Sequence, residues 1–100
     1  MNMQLIHSNG TCEIFFTGTF TFTDNATFKQ VLELVDSPQV RSFILDFSGV
    51  DFIDSAVLGM MMILRSTAAV RGQNITIRGA QNQVEKVMRM SQFDTKFAMV

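Results

Sequence analysis

The 100-residue chain is short of several residue types, and each shortage narrows what the protein can be. It contains no Trp, no Tyr, one Pro and a single cysteine, Cys12, so it can form no internal disulfide. A lone cysteine without a basic-then-apolar leader is typical of the reducing cytoplasm. The longest uncharged apolar run is Ala56 to Leu64, whereas a membrane-spanning helix needs roughly 20 residues. The sequence therefore predicts a soluble cytoplasmic protein that does not insert into a membrane.

The chain also lacks a large net charge of either sign. Its 8 basic and 9 acidic residues give a net charge of -1, which offers no overall basic field for nucleic acid. The two signs are unevenly distributed, because residues 1–64 carry 2 basic and 7 acidic residues while residues 65–100 carry 6 basic and 2 acidic ones. The acidic part also holds the candidate site described below.

Apolar residues, by contrast, are plentiful. The chain is 47% hydrophobic and has 10 Phe, which argues against a disordered chain. No Gly/Ser/Pro-rich linker, low-complexity tract or internal repeat divides it. A length of 100 residues fits one domain over 1–100 and leaves little room for a deep catalytic cleft. We therefore expect a single non-enzymatic domain without a cofactor.

Two strands and a helix are predicted in the first part of the chain. Met3 to His7 and Cys12 to Thr17 flank an Asn-Gly pair, which readily takes the positive φ angles of a hairpin turn. Thr23 or Asp24 can cap a helix that Ser37-Pro38 ends. The apolar residues of this helix share one face: Ala26, Phe28, Val31, Leu32 and Val35.

The rest of the chain alternates strands and helices. Ser42 to Phe47 is apolar at consecutive positions, which predicts a central strand covered on both faces. Residues 48–54 indicate a turn-rich connection, and a helix follows from Ser55 to about Val70, closed by Gly72. Two further elements are a strand over Asn74 to Arg78 and a helix over Asn82 to Met90. This ββαβαβα order predicts an α/β fold with a mixed four- to five-stranded sheet and helices packed over it.

The most informative stretch places a hydroxyl and three carboxylates near the start of one helix. Ser55 lies at or just inside the helix N-terminus, where free N–H groups and the helix dipole favour an anion such as phosphate. The ordinary alternative is that Ser55 or Asp54 caps the helix, since both residue types are preferred there.

The helix after Ser55 is apolar nearly all round in its first two turns, whereas a helix on one sheet needs only an apolar stripe. The surplus surface either meets another helix or docks a partner, and adjacent methionines suit an adaptable binding surface. Gly59 supports a docked partner, because a helical glycine often permits the close approach of another backbone.

Several short motifs follow one another in a characteristic order: Leu45-Asp46-Phe47-Ser48-Gly49-Val50, Phe52-Ile53-Asp54-Ser55, Leu58-Gly59 and Arg71-Gly72. With the region Val84 to Phe97 they resemble a bacterial STAS domain of the anti-sigma-factor antagonist family. In that family the serine after this aspartate is phosphorylated by a partner serine kinase, often the anti-sigma factor itself. A PP2C-type phosphatase removes the phosphate. The resemblance therefore implies that Ser55 is phosphorylated.

The resemblance also implies a mechanism called partner switching, which regulates transcription. The unphosphorylated form binds the kinase or anti-sigma factor, and phosphorylation releases it. The expected partner-binding residues are Asp24, Asp51, Asp54, Ser55, Val57, Leu58, Gly59, Met61 and Met62.

The sequence departs from the family in two places. Family members commonly carry an acidic residue shortly after the glycine that ends the second strand, whereas here Gly18 is followed by Thr-Phe-Thr-Phe-Thr before Asp24. The region after Phe97 is short, so a last helix found in many relatives is short or missing.

Two other functions fit parts of the sequence. Asp46, Asp51 and Asp54 could hold Mg²⁺, a cation that takes carboxylate oxygens, but no paired general base or oxyanion lysine accompanies them. The chain could instead be a non-switching STAS-like subunit of a larger complex, or a small-ligand sensor. His7 and Cys12 have no companions for a metal or catalytic role.

Overall fold

A computed structural model describes residues 1–100 as a five-stranded mixed sheet with three α-helices. The strands are β1 (Asn2–Ser8), β2 (Thr11–Phe20), β3 (Ser42–Ile53), β4 (Asn74–Arg78) and β5 (Ala98–Met99). The helices are α1 (Asn25–Leu34), α2 (Ser55–Val70) and α3 (Asn82–Met90), with short 3₁₀ helices at Phe22–Asp24 and Phe93–Thr95. None of the helices is both long and apolar enough to cross a membrane.

The strands lie side by side in the order in which they occur along the chain. β1 is antiparallel to β2, and every later pair is parallel. Each parallel connection steps the same way across the sheet, so right-handed crossovers place all three helices on one face. The predicted α/β class and the central position of β3 are confirmed. The expectation that β3 is covered on both faces is wrong, because no helix lies over the opposite face, where Ile44 is half-buried.

The first hairpin forms where the sequence predicts it. Asn9 and Gly10 have φ angles of 53° and 83° and connect β1 to β2. Both angles are positive, as a two-residue hairpin turn requires. Ser8 therefore pairs directly with Thr11.

β3 is longer than the sequence predicts. Residues 48–53 continue the strand instead of forming a turn-rich connection, and they pair with the end of β2 through irregular register shifts. Gly49 allows this pairing, since a Cβ at Gly49 would lie 2.7 Å from Cγ2 of Thr17. The pairing ends at Phe20 and Ile53, so the segments that follow β2 and β3 leave the sheet side by side.

The ends of α2 agree with the predicted bounds. At its C-terminus Gly72 has a φ of +69°, Gly72 N–H donates to Ala69 O, and Gln73 N–H donates to Ala68 O. These two bonds form a Schellman motif, which ends the helix at Val70.

A cluster of phenylalanine rings fills the core under the start of α2. Phe16 lies 5.3 Å from Phe20 and 5.2 Å from Phe47, measured between ring centroids, and Phe28 of α1 lies 5.7 Å from Phe20. All four side chains are buried. Because packed aromatic interiors deform little, this cluster stiffens the core between β2, β3 and α1. Cys12 is buried in the same core, and burial raises the pKa of its thiol.

Candidate functional site

The junction between β3 and α2 is held by Asp54. Its Oδ1 accepts a hydrogen bond from Val57 N–H at 3.1 Å, which makes Asp54 the N-cap of α2. Its Oδ2 accepts from Phe22 N–H at 3.0 Å, in the segment that follows β2. One carboxylate therefore fixes the helix start and ties together the two segments that leave the sheet here.

Ser55 is the first residue of α2 and is exposed. Because Asp54 is the cap, the capping explanation does not apply to the Ser55 side chain. The N–H groups of Ser55 and Ala56 belong to the first turn and have no intrahelical acceptor. An exposed hydroxyl thus lies at the positive end of a 16-residue helix.

The inner face of α2, formed by Val57, Met61, Leu64 and Ala68, packs into the core. The sequence placed Val57 and Met61 in the partner surface, and this is wrong. Both side chains have 0% exposure, because their positions on the helix turn them toward the sheet and the phenylalanine cluster. They can affect a partner only through the fold.

The α2 outer face is formed by Ser55, Leu58, Gly59, Met62 and Ile63. Ile63 is 56% exposed, while Leu58 and Met62 are half-buried at the edge of the core. Apart from its chain neighbours and the adjacent backbone of α2, no heavy atom lies within 4 Å of where a Gly59 Cβ would be. Nothing inside the chain therefore requires glycine at this position, and the outer face is open to close approach.

Two exposed aromatic rings, which the sequence analysis did not predict, flank the α2 outer face. Phe22 is 62% exposed and Phe52 is 43% exposed. Phe22 N–H bonds to Asp54, and Phe52 lies two residues before Asp54 in β3. Strand alternation would place Phe20 and Phe22 on the same face, yet Phe20 is buried and the chain turns into a 3₁₀ helix at Phe22, so no sequence pattern marked the exposed ring.

Asp51 and Asp24 have different hydrogen-bond partners and differ in exposure. Asp51 is exposed, and its Oδ1 accepts from the Thr19 hydroxyl at 3.0 Å. Asp24 accepts from Thr21 N–H and from the ammonium group of Met1, each at 3.0 Å. The Thr21 bond is the main cause that holds the pKa of Asp24 below its usual value. The Asp24 side chain is only 16% exposed, so it organises the segment before α1 more than it faces a partner.

Asp46 lies apart from these carboxylates, on the sheet face without helices. Arg78 Nε donates to its Oδ2 at 2.8 Å, and both the N–H and the hydroxyl of Ser48 donate to its Oδ1. Burial alone would raise the pKa of Asp46, but these bonds outweigh burial and hold it low. The sequence could combine Asp46, Asp51 and Asp54 in one Mg²⁺ site, yet each has its own protein donors and the chain contains no cluster of three possible metal ligands.

The comparison with known families agrees with this architecture. The family described as "Mlab, STAS domain" matches residues 4–100. This chain belongs to the STAS domain family. A STAS-domain containing protein of Pseudomonas aeruginosa (strain UCBPP-PA14) is 28% identical over 80 residues, which cover 80% of this chain and 78% of that protein.

Several solved structures share the fold. A putative anti-sigma factor antagonist from Thermotoga maritima has a TM-score of 0.88 at 15% identity, covering 97% of this chain and 84% of that one. The anti-sigma factor antagonist SpoIIAA in its unphosphorylated form has a TM-score of 0.81 at 16% identity, covering 99% and 87%. The Bacillus SpoIIAA in its phosphorylated form has a TM-score of 0.79 at 15% identity, covering 99% and 91%. At these identities the likeness establishes the fold, which is the fold predicted from the sequence.

Proposed function

We propose that this STAS domain is a partner-switching regulator of the anti-sigma-factor antagonist type, with Ser55 as its phosphorylation site. The observation that carries the proposal is the position of Ser55: exposed, relieved of capping by Asp54, and at one end of an apolar outer face. The hydroxyl is accessible to a kinase, and the free N–H groups of the first helical turn can receive a phosphate.

In the unmodified state the α2 outer face and the rings of Phe22 and Phe52 dock a partner. Exposed apolar groups that lie together mark interaction sites more often than isolated ones do. Gly59 lets the partner backbone approach α2 closely, and Met62 adapts to its shape. The partner is a serine kinase that also acts as an anti-sigma factor, and it meets an apolar surface with a single hydroxyl at its rim.

Phosphorylation changes the charge of that rim. A phosphate on Ser55 adds about -1.5 to -2 charges close to Asp51 and Asp54. A docked partner would have to desolvate the phosphate or place its own apolar surface against it. A loss of about 3 kcal/mol weakens binding more than a hundredfold. Phosphorylation therefore releases the partner, and a PP2C-type phosphatase restores binding.

The solved relatives support this proposal. SpoIIAA, which shares the fold, has been solved in unphosphorylated and phosphorylated forms with similar TM-scores to this chain, 0.81 and 0.79. Both forms of SpoIIAA therefore have this overall fold. The switch then acts on the surface of α2 and leaves the core unchanged. In this proposal the domain works in the cytoplasm and controls transcription indirectly.

The α2 outer face also fits a second function, a permanent interface in a larger complex. The observation that favours it is the apolar character of Leu58, Met62 and Ile63, which would suit a partner with or without a nearby phosphate. In that case Ser55 needs no modification.

Incubation with ATP and the serine kinase encoded beside the gene separates the two functions. Mass spectrometry of the product should place one phosphate on Ser55, and Ser55→Ala should carry none. Ser66→Ala is the matched control, because Ser66 is an exposed serine on the same helix. A phosphate on another residue, or none with a kinase of proven activity, would leave the permanent interface as the better account.

A further inference from the structure

A groove of about 450 Å³ lies at the far end of α2 from Ser55, between the C-terminal half of that helix and strands β4 and β5. Arg65 and Gln73 contribute to one side, and Thr76, Lys96 and Phe97 to the other. Ser55 and Arg65 are ten residues apart on one helix, or about 15 Å at the helical rise. The volume is within the usual range of small-molecule sites, roughly 300–1,000 Å³. The groove therefore lies well away from Ser55, although Arg65 closely follows the last residues of the α2 outer face.

Two cations without carboxylate partners line the groove. Arg71, Arg78 and Arg89 form ion pairs elsewhere, whereas Arg65 and Lys96 form none. Arg65 Nε donates to the backbone oxygen of Lys96 at 2.8 Å. This bond holds the guanidinium beside the Lys96 segment and leaves its terminal N–H groups free. No Asp or Glu lines the groove, so its charge is positive and uncompensated.

The wall of the groove contains an unusual polar group. Gln73 Nε2 donates to the backbone oxygens of Val35 and Val40, each at 3.0 Å. Those bonds fix the amide, and its Oε1 is buried without a hydrogen-bond partner. This oxygen is an acceptor and cannot bind an anion, so the anion-binding character of the groove comes from Arg65 and Lys96. Beside it, Ile75 and Phe97 give the groove apolar surface.

We propose that this groove binds a small organic anion. The phosphate or carboxylate of the ligand pairs with Arg65 and Lys96, and its apolar part packs on Ile75 and Phe97. Arg65 is suited to this task, because its planar fork matches both kinds of anion. The ligand would join α2 to the segment that leads into β5, at the end of the molecule opposite to the proposed phosphorylation site.

Nitrogen-edited NMR of the unmodified full chain, titrated with phenyl phosphate, tests the proposal without any kinase. We expect saturable shifts of the amides of residues 74–76 and 96–98. Arg65→Gln and Lys96→Gln should each weaken binding about tenfold, the usual consequence of removing one charge-assisted hydrogen bond. Lys29→Gln is the matched control, since Lys29 is an exposed lysine of α1 that does not line the groove, and it should bind as the parent does.

Three further titrations show which chemical groups of the ligand are needed for binding. Benzoate should give the same pattern of shifts if carboxylates are also accepted, and its failure would restrict the ligand to phosphate esters. Benzyl alcohol, which lacks the charge, should bind at least tenfold more weakly. Inorganic phosphate should also bind more weakly, because it lacks the apolar part. The absence of saturable shifts with both anions, equal binding of benzyl alcohol, or unchanged affinity in both groove variants would overturn the proposal.

Discussion

The inner and outer faces of α2 have similar apolar residues but differ in burial. Met61 and Met62 are neighbours in sequence, yet Met61 is fully buried and Met62 lies at the edge of the core. On the inner face, apolar side chains complete the packing over the phenylalanine cluster. On the outer face they cover no sheet, and Gly59 leaves open space. In the proposed function one side of α2 contributes stability and the other side recognition, so mutations should separate the two.

The largest expected loss of stability distinguishes Met61 from Met62. Met61→Ala removes a fully buried side chain and should lower the free energy of unfolding by about 2–5 kcal/mol. Met62→Ala should lower it by less, since Met62 is only half-buried at the edge of the core, but it should weaken partner binding. Urea denaturation and calorimetric titration with the kinase measure the two quantities. Equal destabilisation by both variants would contradict the division of α2 into faces.

The next effect concerns Asp46, on the sheet face opposite the helices. Its pKa is held below the unfolded value by Ser48 and Arg78, so its contribution to stability is present above about pH 4 and is lost as pH falls through the lowered folded pKa. Asp46→Asn should cost about 1–3 kcal/mol at neutral pH and flatten the acid limb of the stability curve. Denaturant melts between neutral and acidic pH would show this.

Asp36 provides the control for that experiment, because its ion pair with Arg71 is exposed at the surface. Asp36→Asn should change stability by less than about 1 kcal/mol. An acid limb as steep in Asp46→Asn as in the parent chain would mean that the Asp46 network does not govern it. Partner binding at neutral pH should be unaffected, since Asp46 lies away from the α2 outer face.

A smaller loss is expected at the helix cap. Asp54→Ala removes the bonds to Val57 N–H and Phe22 N–H and should destabilise the chain by about 1–2 kcal/mol. Asp54→Asn keeps an acceptor for the cap and should recover much of that loss, as thermal melts would report. If Ala and Asn were equally destabilising, the carboxylate would act by charge and not as the cap described above.

The smallest expected change in the free energy of unfolding is an increase. Gly59 lies inside a helix with open space at its Cβ, so Gly59→Ala should stabilise the chain by about 0.5–1 kcal/mol. The added methyl group stands on the α2 outer face and should weaken partner binding. A variant that is both more stable and binds equally well would show that no partner backbone approaches at Gly59.

The bounds of α2 were predictable because local signals fix them. Asp54 and Ser55 mark the start, and Gly72 marks the end. Which face is buried was not predictable, because Val57, Leu58, Met61 and Met62 are all apolar and only the sheet decides between them. The bonds of Asp24 to Thr21 and Met1 were also not predictable, since they depend on tertiary structure.

Two strand segments of the sheet were also not predictable from the sequence alone. The continuation of β3 past Phe47 depends on pairing with β2, and the Ser48-Gly49 pair resembles a turn when it is considered alone. β5 has only two residues and exists because Ala98 pairs with Thr76 of β4. Neither contact leaves a periodic pattern in the sequence, so neither strand segment could be predicted.

The most direct test of the central claim is the affinity of the kinase for three forms of the chain. Calorimetric titration should show tight binding by the unmodified chain, and more than hundredfold weaker binding after stoichiometric phosphorylation of Ser55. Ser66→Asp, which adds charge to the same helix about 16 Å farther along at the helical rise, should bind more tightly than the chain phosphorylated at Ser55. Equal affinity of the phosphorylated and unmodified forms would contradict partner switching at Ser55.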